Sequence, residues 1–425
     1  MLHHYYTHNI DNFSALIKPH ASRNQKLFEV FKSDIQNNKH PIINVIEDIE
    51  TFEAIDIFQE KLKSKFKTLV VLGTGGSSLG ARAIAHWLGF NGNPLLNTLD
   101  FNFLATDNLD DLSFATLLRQ LDFDSTHFLI ISKSGNTVET NIQLQTIFQT
   151  LKKQNKTHLI AQTMTAITEV TPQKNNLVQI AEAHNIQILK HSLVIGGRYS
   201  ALTMTGLLPA SMMGFDYKAI LSGAKSVIDE LMHANSVQES KPCNGASAMI
   251  AGEENGLLTH VFAAYGDRFA ELSNWIRQLW AESLGKSAKG GLFVPSINPL
   301  DQHSQLQMYY DGIDNKTYSF IECHLKNTQQ TKLEFSNDTQ FAYLDKKTMH
   351  DVVHASCKGT IESLRSRGRL IRTFSIDDYT PESLGALMMH FMIETIFASY
   401  LLEVNPYDQP AVEDYKTRTK EILQS

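Results

Sequence analysis

Between Leu69 and Ser375 the chain repeats one unit: a short apolar run followed by an amphipathic stretch long enough for a helix. The first series of runs is Leu69–Leu72, Phe103–Ala105, Phe128–Ile131, Leu159–Ala161 and Ile186–Leu189. The second is Leu257–Ala264, Gly291–Pro295, Tyr318–His324 and Leu370–Ser375. Connections of this length join parallel strands, which a tight turn cannot do. The pattern therefore predicts an α/β protein built from doubly wound parallel sheets in an αβα arrangement. At 425 residues the chain exceeds the roughly 250–300 at which a single hydrophobic core stops growing, so two such domains are expected. We place the first over 67–215 and the second over 240–405. A mostly helical lead-in over 1–66, with a helix near Ile46–Leu62, precedes them, and a charged helical tail over 406–425 follows. The boundary is expected between Ser211 and Pro242.

The remaining sequence narrows the function by exclusion. Hydrophobic residues make up 42% and charged residues 20% of the chain, the balance of a globular protein. A formal net charge of -7 argues against nucleic acid, because binding a phosphate backbone needs an excess of Lys and Arg. The opening MLHHYYTHNIDNF has no basic stretch leading into an apolar one, and no run of about 18 apolar residues stands out. A cytoplasmic protein without a membrane partner is expected. Cys243, Cys323 and Cys357 lie far apart and form no C-x-x-C pair, which suits reduced thiols. His350 and His354 stand one helical turn apart but lack the Glu of an H-E-x-x-H zinc helix. They are read as a solvated helix face, and no metal is expected.

Two loops carry ligand chemistry. The first strand runs into GTGGSSLG (73–80), whose glycines sit where a strand turns into a helix N-terminus and backbone N–H groups can face an anion. Its spacing is neither G-x-G-x-x-G, since Ser78 takes the third glycine position, nor a Walker A loop, so nucleotide binding is disfavoured. The third strand runs into ISKSGNTVET (131–140), which crowds Ser132, Ser134, Asn136 and Thr137 around Lys133 at another helix mouth, a setting for a dianionic phosphate. A Ser/Thr cluster alone is more often an N-cap. Two such loops at carboxyl ends of strands favour a ligand, because that edge is where α/β sheets bind them.

A third segment carries acid–base chemistry. Tyr265, Phe269, Leu272, Ile276 and Leu279 recur at helical steps, so Gln278 and Glu282 stack on one helix that ends near Gly285. A carboxylate in a last helical turn, partly among apolar neighbours, has a raised pKa, as a general base near neutral pH requires. The segment by itself fits an exposed Glu282 paired with Lys286 at least as well. Arg198 follows two glycines and precedes an apolar helix, and His303 opens an amphipathic helix in NPLDQHSQLQMYYDG; each is weak evidence alone.

Taken together, GTGGSSLG, SKSGNTVET, GGRYSALTMTGLLP, QLWAESLGK, DQHSQLQ and NPYDQPAVEDYK resemble, in order and spacing, the glucose-6-phosphate isomerase family, over Leu72 to Lys416. The resemblance implies a fold of two sugar-isomerase (SIS) domains. It implies that Ser132, Lys133, Ser134 and Thr137 hold a sugar phosphate, with Gly76 and Ser77 lining the sugar. Glu282 is then the base that moves a proton between C1 and C2, Arg198 stabilises the enediolate, and His303 and Lys416 assist ring opening. Gln278, Gln409 and Glu139 match further substrate-lining positions. The family needs neither metal nor nicotinamide, and its homodimer places the histidine of one subunit in the partner's site. Thr74, Ala81 and Ala411 depart from the family's common residues, and none is a charged catalytic position.

Other readings remain open on the sequence. A metal-dependent mannose-6-phosphate isomerase needs a His and Glu ligand cluster, which is not apparent. A dual phosphoglucose/phosphomannose isomerase shares the fold and differs only in substrate. A non-catalytic sugar-phosphate sensor would keep the loops and lose the acid–base residues, all of which are present.

Overall fold

The computed structural model describes residues 5–62, 65–90, 101–326, 330–335 and 340–425. In chain order the strands are β1 (Thr7–Asp11), β2 (Thr68–Leu72), β3 (Asn102–Thr106), β4 (Thr126–Ile131), β5 (Met164–Thr168), β6 (Gln187–Lys190), β7 (Thr259–Tyr265), β8 (Leu292–Asn298), β9 (Lys316–Cys323) and β10 (Leu370–Ile376). They form two five-stranded sheets, ordered β3-β2-β4-β5-β6 and β1-β10-β9-β7-β8.

The first sheet is parallel throughout. Every residue of its central strands β2 and β4 is buried, as expected where helices cover both faces and a strand reads as one apolar run. The fourth strand differs from expectation. Leu159–Ala161 lies in helical turns, Thr157–Leu159 and Ile160–Thr163, and the strand begins at Met164. Its Met-Thr-Ala-Ile-Thr run is fully buried but half polar, and the hydroxyls hide it from an apolar-run reading.

The second sheet is parallel except at one edge, where β1 pairs antiparallel with β10. That strand comes from the stretch read as a helical lead-in. THNID has no apolar run, and β10's backbone groups order it from one side only.

One helix contradicts the expectation that no long apolar stretch exists. Pro381–Leu402 has a mean hydropathy of 1.4 over its best window, long and apolar enough to span a membrane, but 94% of that window is buried within the fold. It is a core helix. The stretch where a domain boundary was expected contributes Tyr217–His233, which packs along it at glycine distance. A Cβ on Gly385 would lie 1.8 Å from the Ile220 carbonyl, and one on Gly223 1.9 Å from that of Glu382.

Candidate active site

The glycine loop after β2 opens the helix Gly76–Trp87, and the helix Ala270–Leu284 after β7 packs against it. The second helix starts at Ala270 rather than near Tyr265. Tyr265 closes β7, and Gly266 then takes a φ of 132° that only glycine tolerates. Gln278 and Glu282 nevertheless stack one turn apart in its last turns. Gly75, with φ 60°, would carry a Cβ 2.8 Å from the Gln278 side-chain nitrogen, so the glycine loop and this helix touch.

Arg198 stands in the single turn Gly197–Leu202 that follows β6. Gly76 admits it: a Cβ there would lie 2.1 Å from the Gly197 carbonyl carbon. The glycine read as sugar-lining thus has a packing task that fixes Arg198 against the loop. The guanidinium is 4% exposed and spends its whole fork. Nε donates to Ser283 Oγ at 3.0 Å, Nη1 to Glu282 Oε2 at 3.2 Å and to Gln409 Oε1 at 3.4 Å, and Nη2 to the carbonyls of Pro406 and Asp408 at 2.6 and 2.8 Å. One arginine therefore ties the helix of Glu282 to the C-terminal segment.

Glu282 remains 32% exposed on its side chain. Its Oε1 accepts from Gln278 Nε2 at 2.9 Å while Oε2 faces Arg198. The alternative partner Lys286 turns elsewhere, to the Asp408 carboxylate at 2.8 Å and the Asn405 carbonyl. That lysine's hydrogen bond holds the Asp408 carboxyl below its ordinary pKa. Among the described residues, two buried polar atoms nearby have no hydrogen-bond partner, Gln278 Oε1 and Thr74 Oγ1.

In the second loop Ser132 Oγ and Thr137 Oγ1 lie 2.8 Å apart, and Ser134 Oγ accepts from the Asn136 N–H at 3.3 Å. Thr137 occupies the N-cap of the helix Val138–Lys153 without a side-chain capping bond, so its hydroxyl is not spent on the helix. Lys133 reaches the Leu193 carbonyl at 3.1 Å and the Glu169 carboxylate at 3.4 Å. Ser77 is half-buried beside the first loop, and Glu139 half-buried in the first turn after the second.

Lys416 projects from the exposed terminal helix Glu413–Gln424 and pairs with Glu413 at 2.7 Å. That hydrogen bond raises its pKa, and the charge of Glu139 adds to the effect, which places the tail within electrostatic reach of the helix that follows the second loop. His303 is not brought to the others. It sits exposed at the start of the helix Gln302–Asp311, beyond the carboxyl end of β8. Glu282 ends a helix that has run back from the carboxyl end of β7, so it lies at the amino end of the same sheet. The seven residues of β8 separate the two by roughly 20 Å or more within one chain.

Sequence reasoning missed three groups. Ser283 receives Arg198 Nε and sits 3.0 Å from the Tyr199 hydroxyl, and burial pushes that phenol up to about 12. Ser283's only signal was its place beside Glu282. The backbone carbonyls of Pro406 and Asp408 carry no sequence signal. The helix face of His350 and His354 is corrected too: His354 Nδ1 lies 2.6 Å from Glu322 Oε2, so it is partnered rather than solvated.

Two sheets joined through a buried guanidinium, a carboxylate and two loops at helix starts define an α/β protein with one polar centre shared between its halves. Comparison with known proteins narrows this class. The family model for phosphoglucose isomerase matches residues 16–425, and the chain belongs to that family. It is 30% identical to the glucose-6-phosphate isomerase of Thermus thermophilus over 388 residues, 89% of this chain and 88% of that one. It is 28% identical to that of Mycoplasmoides gallisepticum over 94% of this chain and 95% of that one. Among solved structures, the fold matches a hypothetical protein, TT0462, of Thermus thermophilus with a TM-score of 0.87 at 28% identity, covering 99% and 100% of the two chains. A glucose-6-phosphate isomerase from Chlamydia trachomatis shares the fold with a TM-score of 0.75 at 20% identity, over 88% of this chain and 73% of that one.

Proposed function

We propose that the protein interconverts glucose 6-phosphate and fructose 6-phosphate by ring opening and proton transfer through an enediolate, without a cofactor. The observation that carries this reading is the Glu282 carboxylate, held by Arg198 and Gln278 against the glycine loop.

Ser132, Ser134, Thr137 and the helix N-terminus hold the phosphate, with Lys133 supplying positive charge at the rim, and Gly76 and Ser77 face the sugar. Lys416 and the partner subunit's His303 shuttle the proton between the ring oxygen and the anomeric hydroxyl, which opens the ring. Glu282 takes the C2 proton of the open aldose. Negative charge develops on the carbonyl oxygen, and Arg198, whose N–H donors are engaged within the chain, stabilises it as a fixed positive charge, a main source of rate. The hydroxyl proton passes from O2 to O1, Glu282 returns the carbon-bound proton to C1, and the ketose forms. Gln278, Gln409 and Glu139 line the chain of hydroxyls.

The distance between His303 and Glu282 within one chain supports a homodimer with composite sites. So does the exposed apolar surface beside His303, where Leu300, Met308 and Ile313 are 75, 53 and 77% exposed; such patches mark interaction sites. The cytoplasm suits three unpaired, buried thiols. A coupled assay of fructose 6-phosphate conversion, run with and without a chelator, tests the reading. Conversion unaffected by chelation is expected; no conversion, or conversion abolished by the chelator, would overturn it.

A further inference from the structure

Glu322 is the penultimate residue of β9, and His324 follows the strand's end. Two residues apart along a strand, their side chains leave on one face. The helix Met349–Arg365 lies against that face and supplies His354. The carboxylate and two imidazoles each offer a donor atom, and the three donors lie within 4.8 Å of one another, all half-buried. Among the described residues this is the one group of three His, Cys, Asp or Glu side chains so placed. His324 meets His354 edge to face at 5.4 Å between ring centroids, and His350, one turn earlier, stacks on His354 at 6.3 Å.

From this geometry we propose that Glu322, His324 and His354 form a binding site for a borderline transition-metal dication such as Zn2+, separate from the isomerase centre. Two imidazoles and one carboxylate are the donor set of open zinc sites and of other first-row dications. The hard ions Mg2+ and Ca2+ take oxygen ligands and are excluded by the imidazoles. Four-coordinate geometry with bonds of about 2.1 Å sets donors roughly 3.4 Å apart. His324 reaches it by closing on the other two, and Glu322 and His354, 2.6 Å apart across their hydrogen bond, by opening slightly, a rotamer adjustment at half-buried positions. The proton now shared between His354 Nδ1 and Glu322 Oε2, 2.6 Å apart, leaves when the metal enters, since ligands bind deprotonated. Water completes the coordination, and His350 borders the site without being one of its three ligands.

The site is held in place independently of the metal. The His324 N–H donates to the Ile376 carbonyl at 2.8 Å, continuing the pairing of β9 with β10. The helix of His354 starts with a full capping box, Thr348 with Asp351. Donors presented by a strand end and a capped helix are preorganised, so loss of one weakens binding without unfolding the chain.

The experiment uses the full-length protein, stripped with a chelator and titrated with Co2+. Visible d–d absorption of four- or five-coordinate intensity is expected, displaced by Zn2+ and not by Mg2+. His324→Ala and His354→Ala should each weaken Co2+ binding by at least about tenfold, and His350→Ala by less. Circular dichroism confirms that each variant is folded, and isomerase activity without added metal should match the parent. An absent Co2+ spectrum, displacement by Mg2+, or an unchanged spectrum in the His324→Ala/His354→Ala double variant would each overturn the assignment. The last would place the metal on other histidines of the chain.

Discussion

The two sheets share a parallel doubly wound core, yet they turn opposite ends to the active site. The first presents its carboxyl edge: the glycine loop after β2, the hydroxyl loop after β4 and Arg198 beyond β6. The second presents its amino edge, through the far end of the helix that follows β7, where Gln278 and Glu282 stand. In the proposed reaction the helix starts that hold the phosphate come from one half and the acid–base carboxylate from a helix end of the other. The carboxyl edge of the second sheet, where α/β proteins ordinarily bind ligands, is left facing outward with His303 and the Glu322, His324 and His354 group. On the proposed mechanism, one fold used in two orientations separates charge stabilisation from proton transfer and leaves a second edge for the proposed partner chain.

The sharpest way to break this division is to disable the carboxylate and leave the loops intact. Glu282→Gln keeps the hydrogen bond from Gln278 and cannot take a proton. Turnover is expected to fall by about 10⁴, the top of the range for general acid–base groups, while a phosphosugar inhibitor still binds. Exchange of the C2 hydrogen in deuterated water reads the step directly, and near-parent exchange in this variant would remove Glu282 from the mechanism.

Arg198→Lys tests the junction between the halves. It keeps the charge but loses the fork that reaches Ser283, Gln409 and the carbonyls of Pro406 and Asp408. A drop of roughly 10²–10³ in kcat is expected, because the charge is no longer fixed where the oxyanion develops. Proteolysis near Tyr407 should also quicken. Unchanged proteolysis with reduced kcat would confine Arg198 to charge stabilisation.

His303→Ala tests whether the outward edge serves a second subunit. A loss of about 10² is expected on cyclic substrate, and a smaller one on a substrate that cannot close a six-membered ring. Mixing His303→Ala subunits with Glu282→Gln subunits should restore activity, because one intact composite site then forms in each mixed dimer. If mixing restores none, the composite site is wrong.

The sequence made four strands of each sheet legible and hid the fifth, for physical reasons. Strands β2 and β4 are buried on both faces, and covering both faces demands the apolar runs that revealed them. Edge strand β1 needs no such run. The strand at Met164–Thr168 buries hydroxyls, so its polar letters pointed reading toward the neighbouring Leu159–Ala161. Among site residues, Ser132, Ser134 and Thr137 were legible because helix mouths have local grammar. The partners of Arg198 at Pro406 and Asp408 were not, because they are carbonyls more than two hundred positions away. The Glu322 and His324 pair was readable as a same-face couple, but only the fold brings His354 to it.

The smallest effect concerns stability and separates the halves by pH. His127 in β4 is buried among Phe58, Phe66 and Thr165, and burial lowers its pKa to about 3, with nearby Lys65 and Lys61 adding to the shift. An unfolded histidine titrates near 6.5, so the unfolded chain binds the extra proton first as pH falls. The stability held by neutral His127 is complete above about pH 6.5 and is lost progressively toward pH 3. At pH 5.5 the loss is about 1.4 kcal/mol, a tenfold shift in the opening equilibrium. In the second half burial likewise lowers His8 and His390, although a hydrogen bond to Glu394 opposes the shift at His390. His127→Leu should therefore reduce the acid sensitivity of amide exchange in β4 by that tenfold factor and leave that of β7 unchanged. Taking the difference between pH 7 and 5.5 cancels the pH-independent cost of leaving Thr165 without its partner. Equal relief in β4 and β7 would mean that the two sheets open as one cooperative unit, and that their difference lies in which edge faces the site and not in separate stability.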